Sequence, residues 1–221
     1  LGRALVTAFG AAGATVVATA RSEAQLAAVT GALALAGRRA VGVPCDVRDA
    51  AQVGALVETA VRTFGGIDIL VNNAGTFQVA AIADTEEAVW DTILDTNLKG
   101  PYLVTRAALP HLVARRGHIF NMVSMAGRHA YRQNGAYCAS KWGLLGFTNV
   151  LREELRGAGV RVTAVLPGAT DTPIWDNLPG TWDRSRMMRP ETIAGCIIEA
   201  CCLPFPASLD ELVLSPAGGK L

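Results

Sequence analysis

Short apolar runs rich in β-branched residues alternate with helical segments along the chain, and this rhythm constrains the fold more than any other feature. The strand-like runs are Ala14–Ala20, Ala40–Asp46, Ile67–Val71, Gly117–Val123, Val160–Leu166 and Leu209–Ser215. Between them, helical spacing covers Glu23–Leu35, Ala50–Phe64, a long stretch from about Trp90 to Arg115, and Tyr137–Arg156. Pro101 and Pro110 are expected to bend or break the long stretch. Strands without an exposed polar side, each followed by a helix, predict an α/β protein: a doubly wound parallel sheet covered on both faces. At 221 residues the chain is expected to be a single domain spanning 1–221. Ligands in such sheets bind beyond the carboxyl ends of the strands. Three separate stretches fall there: Asn73 to Gly75, Ser124, and Pro167-Gly168.

Composition removes several alternatives. The formal net charge is +1, and no basic patch or charge run points to nucleic acid or an anionic membrane. Apolar runs such as Val160–Leu166 are too short to span a bilayer, and the opening Leu1-Gly-Arg-Ala-Leu lacks the pattern of a signal peptide. The cysteines, at 45, 138, 196, 201 and 202, have no metal-ligand spacing, and the three histidines are scattered. No metal site is expected, and a cytoplasmic location is.

Ser124, Tyr137 and Lys141 carry the chemistry. Tyr137 and Lys141 stand at i and i+4, on one face of a predicted helix. A free phenol titrates near pH 10, too high for ready proton transfer at neutrality, and a nearby ammonium is expected to lower that value. A hydroxyl at the neighbouring strand end, Ser124, would hold a substrate oxygen beside the phenol.

With these residues in place, the sequence resembles the short-chain dehydrogenase/reductase family over essentially its whole length. Asn72-Asn-Ala-Gly75 resembles that family's turn after a strand. Asp95-Thr-Asn97-Leu-Lys-Gly resembles the helix bearing its catalytic Asn, and Ser124, Tyr137 and Lys141 match its Ser and Tyr-x-x-x-Lys pair. Pro167-Gly168-Ala-Thr-Asp-Thr172-Pro173 resembles the segment that closes over the nicotinamide, and Arg189-Pro190-Glu191 the start of the next helix. The resemblance implies a Rossmann-like fold and hydride transfer between a nicotinamide and a carbonyl/alcohol pair. It implies Tyr137 as general acid–base and Ser124 as donor to the substrate oxygen. Lys141 would tune Tyr137 and bond the nicotinamide ribose, and Asn97 would hold a water leading to solvent. Asn73, Ala74, Gly75, Pro167, Gly168 and Thr172 would line the cofactor, and Asp46-Val47 would touch the adenine ring. A homodimer or homotetramer through the helices around Leu98–Leu112 and Tyr137–Leu155 is implied as well.

One departure matters. The family's first strand and most of its glycine-rich turn should precede the helix that opens here, with Gly2 as the last motif glycine. That strand is central in the resembling fold, so its two neighbours should be left unpaired. A truncated start is therefore expected, or else a fragment that binds cofactor poorly. Cofactor choice is read roughly twenty residues past the glycine turn, where NAD users place a carboxylate. Here stand Ala20, Arg21 and Ser22, which suit a 2′-phosphate, so NADP(H) is favoured over NAD(H). Residues 170–190 should form a substrate lid. Ile174, Trp175, Leu178, Trp182, Met187 and Met188 within it suggest an apolar or bulky carbonyl or alcohol substrate. The competing readings are an NAD-dependent alcohol dehydrogenase and a non-catalytic binding or regulatory homologue.

Overall fold

The computed structural model describes residues 1–176, 178 and 181–219. In chain order its elements are α1 (Gly2–Ala11), β1 (Val16–Ala20), α2 (Glu23–Leu35), β2 (Ala40–Pro44), α3 (Ala50–Phe64) and β3 (Ile69–Asn72). They continue with α4 (Glu87–Leu94), α5 (Gly100–Arg115), β4 (His118–Met122), α6 (Gly135–Leu155), β5 (Arg161–Pro167), α7 (Pro190–Cys201) and β6 (Glu211–Leu214). Local chemistry sets several boundaries. The Asp49 carboxylate accepts from the backbone N–H groups of Ala51 and Gln52 and so starts α3, and Gly65 ends it at φ 80°, a left-handed conformation that glycine adopts without a Cβ clash. The long predicted helix is two, with a π-helical turn over Asp95–Lys99 between α4 and α5. Proline at 101 lacks the N–H that an α-helix would direct at the Asn97 carbonyl, so the wider turn just before it is where the ladder yields. Pro110 stays inside α5.

All strand pairs are parallel, and the fold is α/β and Rossmann-like. Side chains alternate between two covered faces. Phe120 and Met122 of β4 pack with Leu5 of α1 and Ile193 and Ile197 of α7. Ile119 faces the other way, among Leu112 of α5 and Leu151 and Leu155 of α6.

The sheet is divided. Among the described residues β1 pairs only with β2, while β3, β4, β5 and β6 form a separate four-stranded sheet in that order. A continuous cavity is lined by all of β1 and β3 but by none of β2. It therefore opens between the free edges of β1 and β3, floored by Leu5 and Phe9 of α1 and by Leu56, Val57 and Ala60 of α3. The burial pattern agrees. Every residue of β4 is buried, as are the five interior residues of β5, whereas β1 and β3 are mostly half-buried. The unpaired neighbours expected from the sequence are thus β1 and β3.

His118, at the start of β4, is a buried group with a consequence for stability. Its Nε2 lies 2.8 Å from the Thr163 hydroxyl, which itself donates to the Leu209 carbonyl. Nε2 must therefore carry the proton, leaving Nδ1 buried without a partner. Burial, reinforced by Arg161, pushes the imidazole down to about 3. The unfolded chain binds this proton from about pH 6.5 downward and the folded chain does not, so stability is complete above that value and erodes as pH falls toward 3. The expected slope is at most about 1.4 kcal/mol per pH unit from this site. Urea midpoints between pH 7.5 and 4.5 should fall more steeply for the native chain than for His118→Phe. Parallel slopes would remove His118 as the cause.

Candidate functional site

The cavity has a volume of about 2560 Å³ and runs past the carboxyl ends of β1, β3, β4 and β5. Ser124, Tyr137 and Lys141 line it together with Asn73, Ala74, Gly75, Pro167, Gly168 and Thr172, and with Gly2, Arg21, Ser22, Asp46 and Val47. Of the catalytic and cofactor-lining residues expected from the sequence, Asn97 alone lies behind the wall, fully buried.

Asn97 sits in the π-helical turn, and its side chain is committed. Its Oδ1 accepts from the Thr76 N–H at 2.8 Å, while Nδ2 donates to the Thr76 carbonyl at 2.9 Å and to the Ser140 hydroxyl at 3.0 Å. It thus fastens α6 and the strand-end turn after β3 to one another. Both amide donors are used, so any further partner must donate to Oδ1. A Cβ added at Gly75 would stand 3.4 Å from that Oδ1 and 3.9 Å from Lys141 Nζ, so the turn, Asn97 and Lys141 converge.

The acid–base pair differs in sign from expectation. Lys141 Nζ lies 5.6 Å from the Tyr137 ring centroid and donates to the Met122 carbonyl at 2.8 Å. Burial pushes the Tyr137 phenol up to about 12, with a hydrogen bond to Ser124 pulling the other way. Burial likewise brings the Lys141 ammonium down to about 8. Desolvation outweighs the attraction expected from the ammonium, because both groups lose water and the cation is turned toward a backbone carbonyl. The Tyr137 ring packs against Phe77, with ring centroids 4.5 Å apart. Ser124 Oγ also accepts from the Ala126 N–H at 3.1 Å, which begins the short turn after β4.

At the other end, Gly2 begins α1, whose N-terminus has no side-chain cap. A Cβ on Gly2 would come within 3.0 Å of Asn73 Nδ2, so this glycine permits close approach of the helix to the turn after β3. Free backbone N–H groups at a helix start suit a phosphate. Arg21 is exposed and has no hydrogen bond or ion pair among the described residues. Ser22 is already employed as the N-cap of α2, accepting from Gln25 N–H at 3.3 Å, although its own O–H remains a donor. Asp46 is chelated by Arg48 at 2.6–3.0 Å, which holds its carboxyl down to about 2. Val47 packs against Gly100, where a Cβ would meet its Cγ2 at 2.8 Å. Gly168 N–H donates to the Leu214 carbonyl at 2.7 Å, tying the end of β5 to β6. The donors and the cation spaced along one cleft fit a nicotinamide dinucleotide.

The lid expectation divides. Ile174, Trp175, Leu178 and Trp182 line the cavity, but Met187 is buried and Met188 packs on the core beside α7. Asn177, Pro179 and Gly180, inside the predicted lid, lie outside the described residues. Sequence reasoning passed over Thr76, Phe77, Ser140 and Arg3. Arg3 follows Gly2 in the first turn of α1 and lines the cavity, a cation legible from its position alone. Thr76 and Ser140 act through long-range hydrogen bonds that no spacing announces.

Comparison with known proteins places this geometry. The signature of the short chain dehydrogenases matches residues 1–181. Sepiapterin reductase of Chlorobaculum tepidum is 36% identical over 180 residues, covering 81% of this chain and 73% of that protein. A metagenomic short-chain oxidoreductase crystallised with NADP superposes with a TM-score of 0.86 at 32% identity, over 98% of this chain and 91% of the other. An alcohol dehydrogenase from Thermococcus sibiricus, complexed with 5-hydroxy-NADP, superposes with a TM-score of 0.92 at 23% identity, over 99% and 92%, and speaks for the fold alone. The chain belongs to the short-chain dehydrogenase/reductase family of NAD(P)-dependent oxidoreductases.

Proposed function

We propose that the protein is a carbonyl reductase that transfers a hydride between NADP(H) and a carbonyl/secondary alcohol pair, with Tyr137 as the general acid–base. The observation that carries this reading is one cleft with Ser124, Tyr137 and Lys141 at one end and, at the other, the Arg21 guanidinium, which has no ion pair among the described residues. The nicotinamide, when bound, supplies the hydride chemistry. Tyr137, pushed up to about 12, is protonated throughout the neutral range and is therefore a proton donor to a developing alkoxide. Ser124 donates to the same oxygen as its charge grows. The Lys141 cation offsets the phenolate left behind. Because its pKa is brought down to about 8, that support fades as pH rises through 8. Asn97, through Thr76 and Ser140, keeps α6 and the turn after β3 in register around these groups. Ile174, Trp175, Leu178 and Trp182 at the mouth favour an apolar or bulky substrate.

The outer faces of α5 and α6 expose Tyr102, Val113, Trp142 and Val150, which favours a homodimer or homotetramer formed there. Sedimentation as a monomer at micromolar concentration would reject it. A second reading, a non-catalytic nucleotide-binding homologue, draws its support from the open slot between β1 and β3, which weakens the phosphate cradle.

Calorimetry tests the proposal. NADPH should bind more tightly than NADH, and Arg21→Ala should cost NADPH about tenfold or more in affinity while leaving NADH unchanged. Equal effects on both nucleotides would return the choice to NAD(H). No binding of either would favour the second reading.

A further inference from the structure

We infer that Arg184 is a positioning residue that clamps the two limbs of the 170–188 segment together over the substrate end of the cleft. The inference rests on the reductase reading above for its catalytic consequence and on geometry for the clamp. At the base of the segment, Thr170 and Met188 form an isolated parallel bridge: Asp171 N–H donates to the Met188 carbonyl at 2.9 Å, and Met188 N–H donates to the Ala169 carbonyl at 3.0 Å. Further out, a single guanidinium spans the limbs. Arg184 Nε donates to Asp171 Oδ1 at 2.6 Å, Nη2 to the Thr172 carbonyl at 2.9 Å, and Nη1 to Asp176 Oδ1. Each of its nitrogens thus meets a different residue of the first limb. That use of the planar fork is one a lysine cannot reproduce.

The clamp grips residues that form the cleft. Thr172, whose carbonyl Arg184 holds, is buried and lines the cavity. The Trp175 indole N–H donates to the Thr170 carbonyl at 2.9 Å, and its ring meets Trp182 of the second limb edge-on, with centroids 4.9 Å apart. Asp183 accepts from Ser185 N–H and so fixes the turn that presents Arg184. The two tryptophans are therefore held against one another in the wall of the same cleft that Tyr137 and Ser124 line. Arg184 itself is not among the residues that line the cleft. It acts by setting where Thr172 and Trp175 stand. Both acids it engages are partly exposed, so the clamp is sensitive to salt.

The test uses the full chain and four proteins: native, Arg184→Gln, Arg184→Lys and Arg186→Gln. Arg186 shares the turn but has no ion pair among the described residues. Tryptic cleavage after Arg186, followed by mass in the native, Arg184→Gln and Arg184→Lys proteins, reads the clamp without any turnover. Steady-state NADPH-dependent reduction of an aromatic ketone reads its consequence. Arg184→Gln should be cut several-fold faster, and its KM for the ketone should rise about fivefold or more with kcat nearly unchanged, because the lid contacts serve ground and transition states alike. Arg184→Lys should fall between, Arg186→Gln should match the native KM, and 1 M salt should raise KM in the native protein but not in Arg184→Gln. Native cleavage and native KM in Arg184→Gln would overturn the clamp. Faster cleavage with unchanged kinetics would overturn the positioning role. If the native chain turns over no ketone, the reductase reading fails, and the cleavage ratio decides the clamp by itself.

Discussion

Tyr137→Phe should lower kcat for carbonyl reduction by about 10³-fold while leaving the NADPH dissociation constant within a few-fold of native. The substitution removes one hydroxyl and keeps the ring that packs 4.5 Å from Phe77, so the half-buried site stays filled and the fold should survive. What is lost is the cleft-lining hydroxyl, hydrogen-bonded to Ser124, that serves as the proton donor in this reading. Ser124→Ala should cost less, since it removes a donor to the oxygen and leaves the acid in place. The pH profile separates roles further. Reduction by the native chain should hold steady through neutrality and decline as Lys141 loses its charge above about pH 8, its value in this site. Lys141→Met, lacking that cation at every pH, should be slow throughout and lose the alkaline decline. A Tyr137→Phe protein with kcat within tenfold of native would remove Tyr137 as the acid, whatever else the cleft binds.

The sign of the Tyr137 shift was beyond the reach of spacing. Positions 137 and 141 place a phenol and an ammonium on one helical face, but not how dry that face is or that Lys141 is turned to the Met122 carbonyl. Both depend on β4 and α6 meeting across the sheet. The same holds for Asn97: its place in the helix was readable, whereas the π-helical turn and the bonds to Thr76 and Ser140 come from Pro101 and from two distant stretches. The strands themselves were legible because apolar runs bounded by turns carry them locally, with ends misplaced by a residue or two where Asp and Gly leave the period undecided. Ser22 shows the limit in miniature. A serine beside Arg21 reads equally as a phosphate donor and a helix cap, and the structure employs it as the cap. Met187 and Met188 show the opposite limit: their apolar character reads as lid-like, whereas Met187 is buried and Met188, bridged to Thr170, packs on the core beside α7.

The slot between β1 and β3 yields the largest expected change in stability. Fusing upstream of Leu1 an extended apolar strand of about five residues, joined by a glycine-rich turn, should unite the two sheets into one parallel sheet. The free edge of β1 and that of β3 would each gain a ladder of hydrogen bonds, and side chains of the new strand would meet Leu5 and Phe9 on one face and Leu56 and Val57 on the other. Burying four or five such side chains is worth about 1.5–3 kcal/mol each. Ordering the strand costs about 1–2 kcal/mol per residue of backbone, so a net gain of a few kcal/mol remains. For a chain of this length that corresponds to a rise in Tm of roughly 10 °C. A strand carrying aspartates at the same positions should give no such rise, because charges without partners would enter the slot. NADPH affinity discriminates further. The turn adds backbone N–H groups at the start of α1, where Gly2 already permits close approach, so affinity should rise along with Tm. Higher Tm with unchanged NADPH affinity would mean that the slot accepts a strand without completing a phosphate site. An apolar fusion with the native Tm would mean that β1 and β3 are satisfied as they stand, and the division of the sheet would then have to be stable in its own right.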